Sequence, residues 1–536
     1  MDGFHLQTSS GRGRALTWTD GVITVFFTLL SAVMIGFLFA LLESARMEGA
    51  RAQAVCVSDM ASFSVFGEFE RKVLKDFDVF ALDGSGGSGE FSIERVEDRL
   101  KHYLKLNAEP NQDGIASLCF DPWGLELTEG KVTKYALLTD QGGENFYQQV
   151  VGYMHETAWM DMTADLVSLY QKTDEISGKK EQIEQEQKTA DQQMEEISKA
   201  EEEKKQELEA AGNPGDGEGQ SDPSLQLPAP AEPAEKVENP LSTLRKLKNK
   251  DLLEIVCPGM EISENRVYSR ELCSQRSKKK GNMAMKTPYG GLVDDLLFRE
   301  YLLDRFDCFT QPGRSKLKYE LEYILSGKNG DWRNLKNVLK NMLAFRECVN
   351  YLYLSGDDAS SSQVGTLAEM LIGWLGMPGL TGLLKHGLLL GWAYGESLCD
   401  VKRLTAGGRV PLQKDASTWQ LSLTDLAKLD TWLDNIGGGK SEDAGGSGLN
   451  YREHLRVLLY ITPISQLKKR GLDMLELSIR EDAKLSSFRA DHCLVGMKTQ
   501  ISWQIPPHFS KVTWAYLRRK GGELSLQVSG GYAYGP

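Results

Sequence analysis

The chain has 536 residues and a formal net charge of −13 at pH 7. That acidity, with no basic stripe anywhere, excludes the electrostatic footprint of a nucleic-acid binder. A hydrophobic content of 41% with ten Trp excludes a largely disordered chain and supports packed cores.

Residues 1–20 read as a short cytoplasmic tail. From Val22 to Leu42 the chain then runs through twenty-one positions with no charge and no proline. At about 1.5 Å of rise per residue this run spans about 30 Å, the thickness of a bilayer's hydrocarbon core. Residues 21–42 are therefore predicted to form a transmembrane helix, the only span. The run exceeds the roughly 7–15 apolar residues of a signal peptide. Arg12 and Arg14 before it are matched by Arg46 and Arg51 after it, so the basic residues do not set its orientation. A long downstream domain translocates largely regardless of charge, which predicts a single-pass cell-membrane protein with its bulk extracytoplasmic.

The span carries an internal pattern. Thr28, Ala32, Gly36, Ala40 and Ser44 place a small residue at every fourth position. Such rungs line one helix face and let another backbone approach, so they are predicted to be a helix-packing seam for a protein partner. Small residues continue as Ala45, Gly49, Ala52 and Cys56, which predicts one unbroken helix from about Val22 to about Val73.

Residues 43–165 alternate helix and strand and form the N-terminal α+β part of the ectodomain. The pattern predicts a strand at 77–83, a Gly/Ser loop at 84–89, a helix from Ile93 to Leu106, a strand from Val132 to Leu138 and a helix from Phe146 to Met160. Residues 166–211 change character. Leu169, Ile176, Ile183, Ala190 and Ile197 recur every seven residues, but the second heptad position is mostly polar. One apolar stripe fits a charged single helix or a weak coiled coil, and this helix is a second candidate for protein partners. Residues 212–240 hold Pro, Gly, Glu and Ala and too little apolar surface to offset ordering entropy, so they are predicted to be a disordered linker. Gln171 to Pro240 contain 19 Asp+Glu against 8 Lys+Arg, which leaves the rest of the protein close to neutral. Coil and linker together read as a protruding insertion.

Residues 241–490 read as mainly helical. Leu335, Val338, Met342, Phe345, Val349 and Leu352 step by three and four along one face. Leu367 to Leu390 is apolar enough to suggest a second span, but Glu369, Lys385 and His386 lie in it and Pro378-Gly379 breaks it, which predicts two packed core helices. Residues 491–536 alternate as C-terminal strands at His492–Ile505, Val512–Tyr516 and Leu524–Val528, a terminal meander. The strands of 77–138 and 491–530 are predicted to share one sheet.

Chemical motifs fail on spacing. Gly437-Gly438-Gly439-Lys440-Ser441 lacks the first P-loop glycine, because Asp434 stands there. His155-Glu156 is not followed by the second zincin histidine. Glu90 replaces the last glycine of a nucleophile elbow around Ser88. The histidines (His5, His102, His155, His386, His454, His492, His508) have no ligand spacing. Asp294-Asp295 and Asp357-Asp358 read as solvated turns or helix starts rather than paired catalytic carboxylates. Eight scattered cysteines without a CxxC pair fit either disulfides or free buried thiols. No catalytic residue, metal ligand, cofactor or small-molecule substrate is assigned.

Seven segments together carry a resemblance: GVITVF at 21–26, LLESAR at 41–46, DFDVFALD at 76–83, YALLTDQGG at 135–143, LEYILSGK at 321–328, WAYGESLCDV at 392–401 and YREHLRVLL at 451–459. The set resembles an uncharacterised family of membrane-anchored bacterial proteins, a domain of unknown function, found in Gram-positive bacteria and often beside Tad-type pilus genes. It covers nearly the whole chain from Gly21, apart from 166–240, and implies no activity. The anchor also resembles the start of a TadE-like pseudopilin, with Phe26 where that group places a glutamate.

The expectation is an α+β protein in which a transmembrane helix continues into a long packed helix beneath a mainly helical ectodomain with a small antiparallel sheet. The expected function is that of a non-enzymatic structural or accessory component of a Tad-like pilus or secretion apparatus. The alternative is a membrane-anchored adhesion or sensing protein, and an envelope hydrolase is the least supported class.

Overall fold

The computed structural model describes residues 18–108, 123–157, 160–211, 240–375, 381–435, 448–507 and 525–534. Helix α1 (Trp18–Phe66) opens the fold. At 49 residues it is about 74 Å long. Among the described residues it is the one helix long and apolar enough to cross a membrane. Every residue from Gly21 to Leu42 is exposed, whereas the second half buries Ala50, Ala54, Val57, Ser58, Ala61, Ser62, Val65 and Phe66. Those steps of three and four put one narrow stripe of mostly small side chains against the rest of the fold. The helix stops at Phe66 rather than running on to Val73. Gly67, a poor helix former, closes it by donating to Phe63 O and Ser64 O. Glu70 then caps a separate helix, α2 (Arg71–Phe77).

The sheet is four-stranded and antiparallel. Strand β1 (Leu82–Asp83) and strand β2 (Glu126–Leu137) come from the N-terminal part. Strands β3 (Cys493–Gln504) and β4 (Ser525–Ala533) come from the C-terminus. β3 is central: β2 pairs along one side, and β1 and then β4 share the other. The expected sharing of one sheet between the two ends of the chain is thus present. The strand expected over 77–83 shrinks to two residues. Phe77 belongs to α2, and Asp78 leaves it in the left-handed region at φ 52°. The expected strand at 512–516 lies outside the described residues. On β3, Val495, Met497, Thr499, Ile501 and Trp503 face inward while Lys498 and Gln500 face water. Helix α3 (Ile93–Ala108) buries Val96, Leu100 and Leu104, and Leu104 lies against Gly130 of β2. α1 lies beside α3, and Trp503 Nε1 donates to Ser58 Oγ across 3.2 Å.

The remainder is helical. After α4 (Glu144–Thr157) comes α5 (Met160–Ala211), the charged helix of the insertion. The helical body follows as α6 (Pro240–Asn249), α7 (Leu252–Val256), α8 (Leu292–Arg305), α9 (Glu320–Ser326) and α10 (Asp331–Gly356). It continues through α11 (Asp358–Leu375), α12 (Thr381–Thr405), α13 (Leu429–Asn435), α14 (Tyr451–Ile461) and α15 (Ile464–Arg480). The predicted face of α10 is buried from Leu335 to Val349. α11 and α12 pack on each other as core helices, with Leu388, Ala393 and Leu398 inaccessible. The Pro378-Gly379 break lies outside the described residues.

One expectation changes. The first half of α5 does not stand free as a protruding arm. Leu166, Thr173, Ile176 and Ile183 are buried, and Gln187 donates to Glu347 of α10 at 2.6 Å. The heptad stripe finds its apolar partners on α10, α12 and α14 of the same chain. The linker at 212–239 is outside the described residues.

Candidate functional site

The seam residues Thr28, Ala32, Gly36, Ala40 and Ser44 all lie on the exposed half of α1. Thr28 satisfies its own hydroxyl on Val25 O at 2.8 Å, so it leaves little unmet polarity on that face. A Cβ placed on Gly36 would meet nothing within 4 Å, so the seam is open to a neighbour. Four residues turn an α-helix about 400°, so each rung sits about 40° round from the last. The row therefore winds onward to Glu48, Ala52, Cys56 and Met60, which are exposed on the packed half of the helix.

Where the helix leaves the apolar run, a buried clamp fixes it. Arg46 pairs with Glu43 at 2.6 Å and donates to Trp123 O at 2.9 Å and Pro506 O at 2.6 Å. Trp123 precedes β2 and Pro506 follows β3, so one guanidinium ties the helix to the near end of the sheet. Gly49 is required there, because a Cβ would come within 2.1 Å of the Trp123 ring. At the far end, Tyr534 donates its hydroxyl to Phe66 O. The helix is thus held at both ends of its packed half and cannot swing as a flexible tether would.

The outer face of that half is unevenly apolar. Val55, Met60 and Phe63 are 45%, 48% and 61% exposed. Phe63 meets Tyr532 of β4 edge-on at 5.6 Å. A groove of about 590 Å³ runs between α1, α3 and β4, lined by Asp59, Met60, Phe63, Ser64, Asn107, Gly531 and Tyr532. Among the described residues, Asp59 has no ion-pair partner and the buried Asn107 Nδ2 has no acceptor.

Sequence reasoning missed the buried polar clusters of the helical body. In the first, Arg346 of α10 donates to Asp400 of α12 at 2.8 Å and to the carbonyls of Pro411 and Leu412. Lys414 bridges Asp400 at 2.6 Å and Glu396. Two cations and two carboxylates balance, and the Asp400 carboxyl is held low: Arg346 and Lys414 outweigh its burial. The neighbouring His454 is buried with its Nε2 unpartnered, and burial with the Arg346 charge pushes its imidazole down to about 4. In the second cluster, Arg276 grips Glu476 at 2.5 Å and also pairs with Asp491. Arg480 adds a second cation to Glu476, and Arg489 one to Asp491. Cys273 lies close enough to Glu476 and Asp491 for the three to hold a metal ion. The arginines already occupy those carboxylates, and burial drives the Cys273 thiol far above its ordinary value, so the donors do not suit a cation.

In the third cluster no ion pair reaches the carboxylates among the described residues. Glu322 of α9 accepts from Tyr451 Oη at 2.8 Å and Phe309 N at 2.9 Å, leaving Oε2 unpartnered. Burial pushes its carboxyl, and that of Glu320, up to about 7. Nearby Asp473 accepts from Ser274 and Tyr323 and is pushed up to about 6, again by burial. Gly327 ends α9 at φ 69°, with Arg470 packed where a Cβ would sit and donating to Ile324 O and Leu325 O. The segments 321–328, 392–401 and 451–459 therefore supply partners to the first and third clusters, while the second is drawn from outside them. The available signal was charge inside otherwise apolar helices, as in Glu396 and Asp400 four residues apart.

The other candidates take ordinary places. Asp294 caps α8 by accepting from Gly290 N and Gly291 N, and His155 meets it at 2.7 Å. Asp357 accepts from Ser360 N and so starts α11. The cysteines among the described residues are free: Cys56 is exposed and the rest are buried. The loop at 437–441 lies outside the described residues.

The model of a protein family of unknown function, DUF5702, matches residues 230–505. The match takes in the helical body and β3 with all three clusters. No curated protein and no solved structure matches the chain.

Proposed function

We propose a function from one premise: the chain belongs to the DUF5702 family, a family of unknown function. The protein is a single-pass membrane protein whose large ectodomain lies outside the cytoplasm. It serves as a non-enzymatic structural or accessory component of a Tad-like pilus or secretion apparatus. The observation that carries this reading is α1 itself. One continuous helix is wholly exposed over its apolar half and is a clamped core element over the other. A helix built that way transmits position and force between bilayer and ectodomain, which an enzyme on a flexible tether does not need. The buried carboxylates support the same reading, since arginines or hydrogen bonds engage them inside the body rather than in the groove. The Tad-like context rests on the resemblance of the segments between Gly21 and Leu459, and the sidedness on the translocation of long domains.

Gly36 is the centre of the seam, and a leucine there would hold a partner helix away without weakening insertion. Gly36→Leu is expected to keep its membrane level while losing recovery with pilus-assembly proteins after mild crosslinking. Phe37→Leu is the control. Equal recovery of the two variants would remove the assembly reading. Labelling of cysteines introduced at 212–240 from outside whole cells tests the sidedness.

A further inference from the structure

The face of the sheet turned away from α1 carries uncompensated positive charge. Lys498 of β3 stands directly opposite Lys134 of β2, and both are exposed. Like charges opposite each other across an antiparallel pair are destabilising, so the fold accepts a cost here. The irregular segment that precedes α8 brings further lysines to the same place. Asp140 accepts from Gly281 N at 3.0 Å, Tyr135 O accepts from Asn282 N and Met283 N, and Asn282 Oδ1 accepts from Tyr135 N at 2.8 Å. Met283 and Met285 lie against Gly496 so closely that a Cβ there would come within 2.8 Å and 2.9 Å of them. These ties fix the segment across the far end of β2 and β3, with Lys278, Lys279 and Lys280 just before the contact and Lys286 just after it. None of the six lysines has an ion-pair partner among the described residues, in a chain whose net charge is −13. Beside them the same face is polar and uncharged: Gln500 and Ser502 of β3 stand in register with Ser529 and Gln527 of β4.

We propose that this face binds an extended polyanion, a polyol-phosphate polymer of the envelope. The envelope setting rests on the outward sidedness proposed above, and the ligand chemistry rests on the face itself. Lysine neutralises phosphate as a compact point charge, whereas the arginine fork matches a carboxylate in fixed geometry, and all six cations are lysine. The serine hydroxyls and glutamine amides beside them donate to and accept from the hydroxyls of a polyol. Tyr135, Trp503 and Tyr532 fall on the opposite face by register, so a nucleobase finds no ring to stack on. Lipid headgroups are too far away. β3 runs beside α1 away from the membrane end, with Pro506 at Arg46 and Trp503 at Ser58. Lys498 is eight residues from Pro506, about 26 Å further out. The field of a charged bilayer fades over about 8 Å in physiological salt.

The test uses the full-length protein in detergent and fluorescently labelled poly(glycerol phosphate). Binding is expected at low salt and is expected to weaken at least about tenfold at about 0.5 M salt. Lys134→Gln combined with Lys498→Gln is expected to weaken it about tenfold at low salt. Lys134→Glu is expected to abolish binding while raising the unfolding midpoint, because the like-charge pair becomes an attractive one. Lys340→Gln, at an exposed lysine of α10, is the control and is expected to bind as wild type does. Equal binding by Lys134→Glu and wild type would overturn the proposal. So would equal or tighter binding of poly-L-glutamate or of single-stranded DNA, which would make the partner an acidic polypeptide or a nucleic acid. Binding that appears only after residues 212–239 are deleted would make that acidic segment the occupant and overturn it as well. Cysteine labelling at 212–240 decides the sidedness separately, and recovery of Gly36→Leu decides the assembly reading, so neither result stands in for this one.

Discussion

The cluster around Arg346 and the cluster around Glu322 solve the same problem in opposite ways. Both place carboxylates at positions with no access to water. Around Asp400, cations from α10 and the 411–414 turn keep the acid ionised, and Lys414 also pairs with Glu396. Around Glu322 and Glu320 only neutral donors arrive, so the acids hold their protons up to about pH 7. The first arrangement depends on keeping every partner, because an orphaned buried charge is costly. The second tolerates loss of a partner but makes stability depend on pH.

The largest way to break this comparison is Arg346→Met. It strips Asp400 and two carbonyls of their donor and is expected to cost about 3–5 kcal/mol. Chemical denaturation of the protein at pH 7 measures it, and a loss below about 1 kcal/mol would mean that Lys414 alone balances the site. Arg276→Met is expected to cost somewhat less, about 2–4 kcal/mol, because Arg480 and Arg489 still face Glu476 and Asp491.

The Glu322 side predicts a pH profile. Its carboxyl titrates near 4.5 in the unfolded chain and near 7 in the folded one. Below pH 4.5 both forms are protonated and the group has no effect. Between pH 4.5 and 7 the unfolded chain ionises first, so stability falls as pH rises, and above 7 the loss is complete. Glu322→Gln keeps the size of the side chain and is expected to flatten the profile, gaining about 3 kcal/mol at pH 8 and little at pH 4.5. A mutant curve parallel to wild type would assign the pH dependence to Glu320 and Asp473 instead. The smallest effect belongs to the exposed Glu48–Arg51 pair, where Arg51→Ala is expected to change stability by less than about 0.5 kcal/mol. A larger loss would show that this pair is shielded from solvent.

The α+β class, the span, the α10 face and the alternation of β3 were legible because each rests on a period within one segment. Even so, two segments misled. The weak heptad of α5 looked unpartnered because its apolar neighbours lie on α10, α12 and α14, far along the chain. The strand at 77–83 looked long because Val79 and Ala81 are apolar, yet their burial comes from packing rather than from a ladder. The buried clusters were invisible for a related reason. Arg346 and Asp400 are separated by 54 residues, and Glu322 and Tyr451 by 129. Nothing local marks one as the partner of the other.

By itself, the sequence determined that one helix is apolar enough to cross a bilayer, that small residues wind along it, and that helices dominate the middle of the chain. Periodicity and transfer free energy act within a segment and need no knowledge of its neighbours. Only the tertiary structure decided that the helix continues as a clamped core element, with Val55, Met60 and Phe63 left exposed on its outer face. It alone also decided which buried acids meet a cation. Burial and ion pairing are properties of what stands across the gap, and in this fold the opposite wall almost always comes from a distant part of the chain.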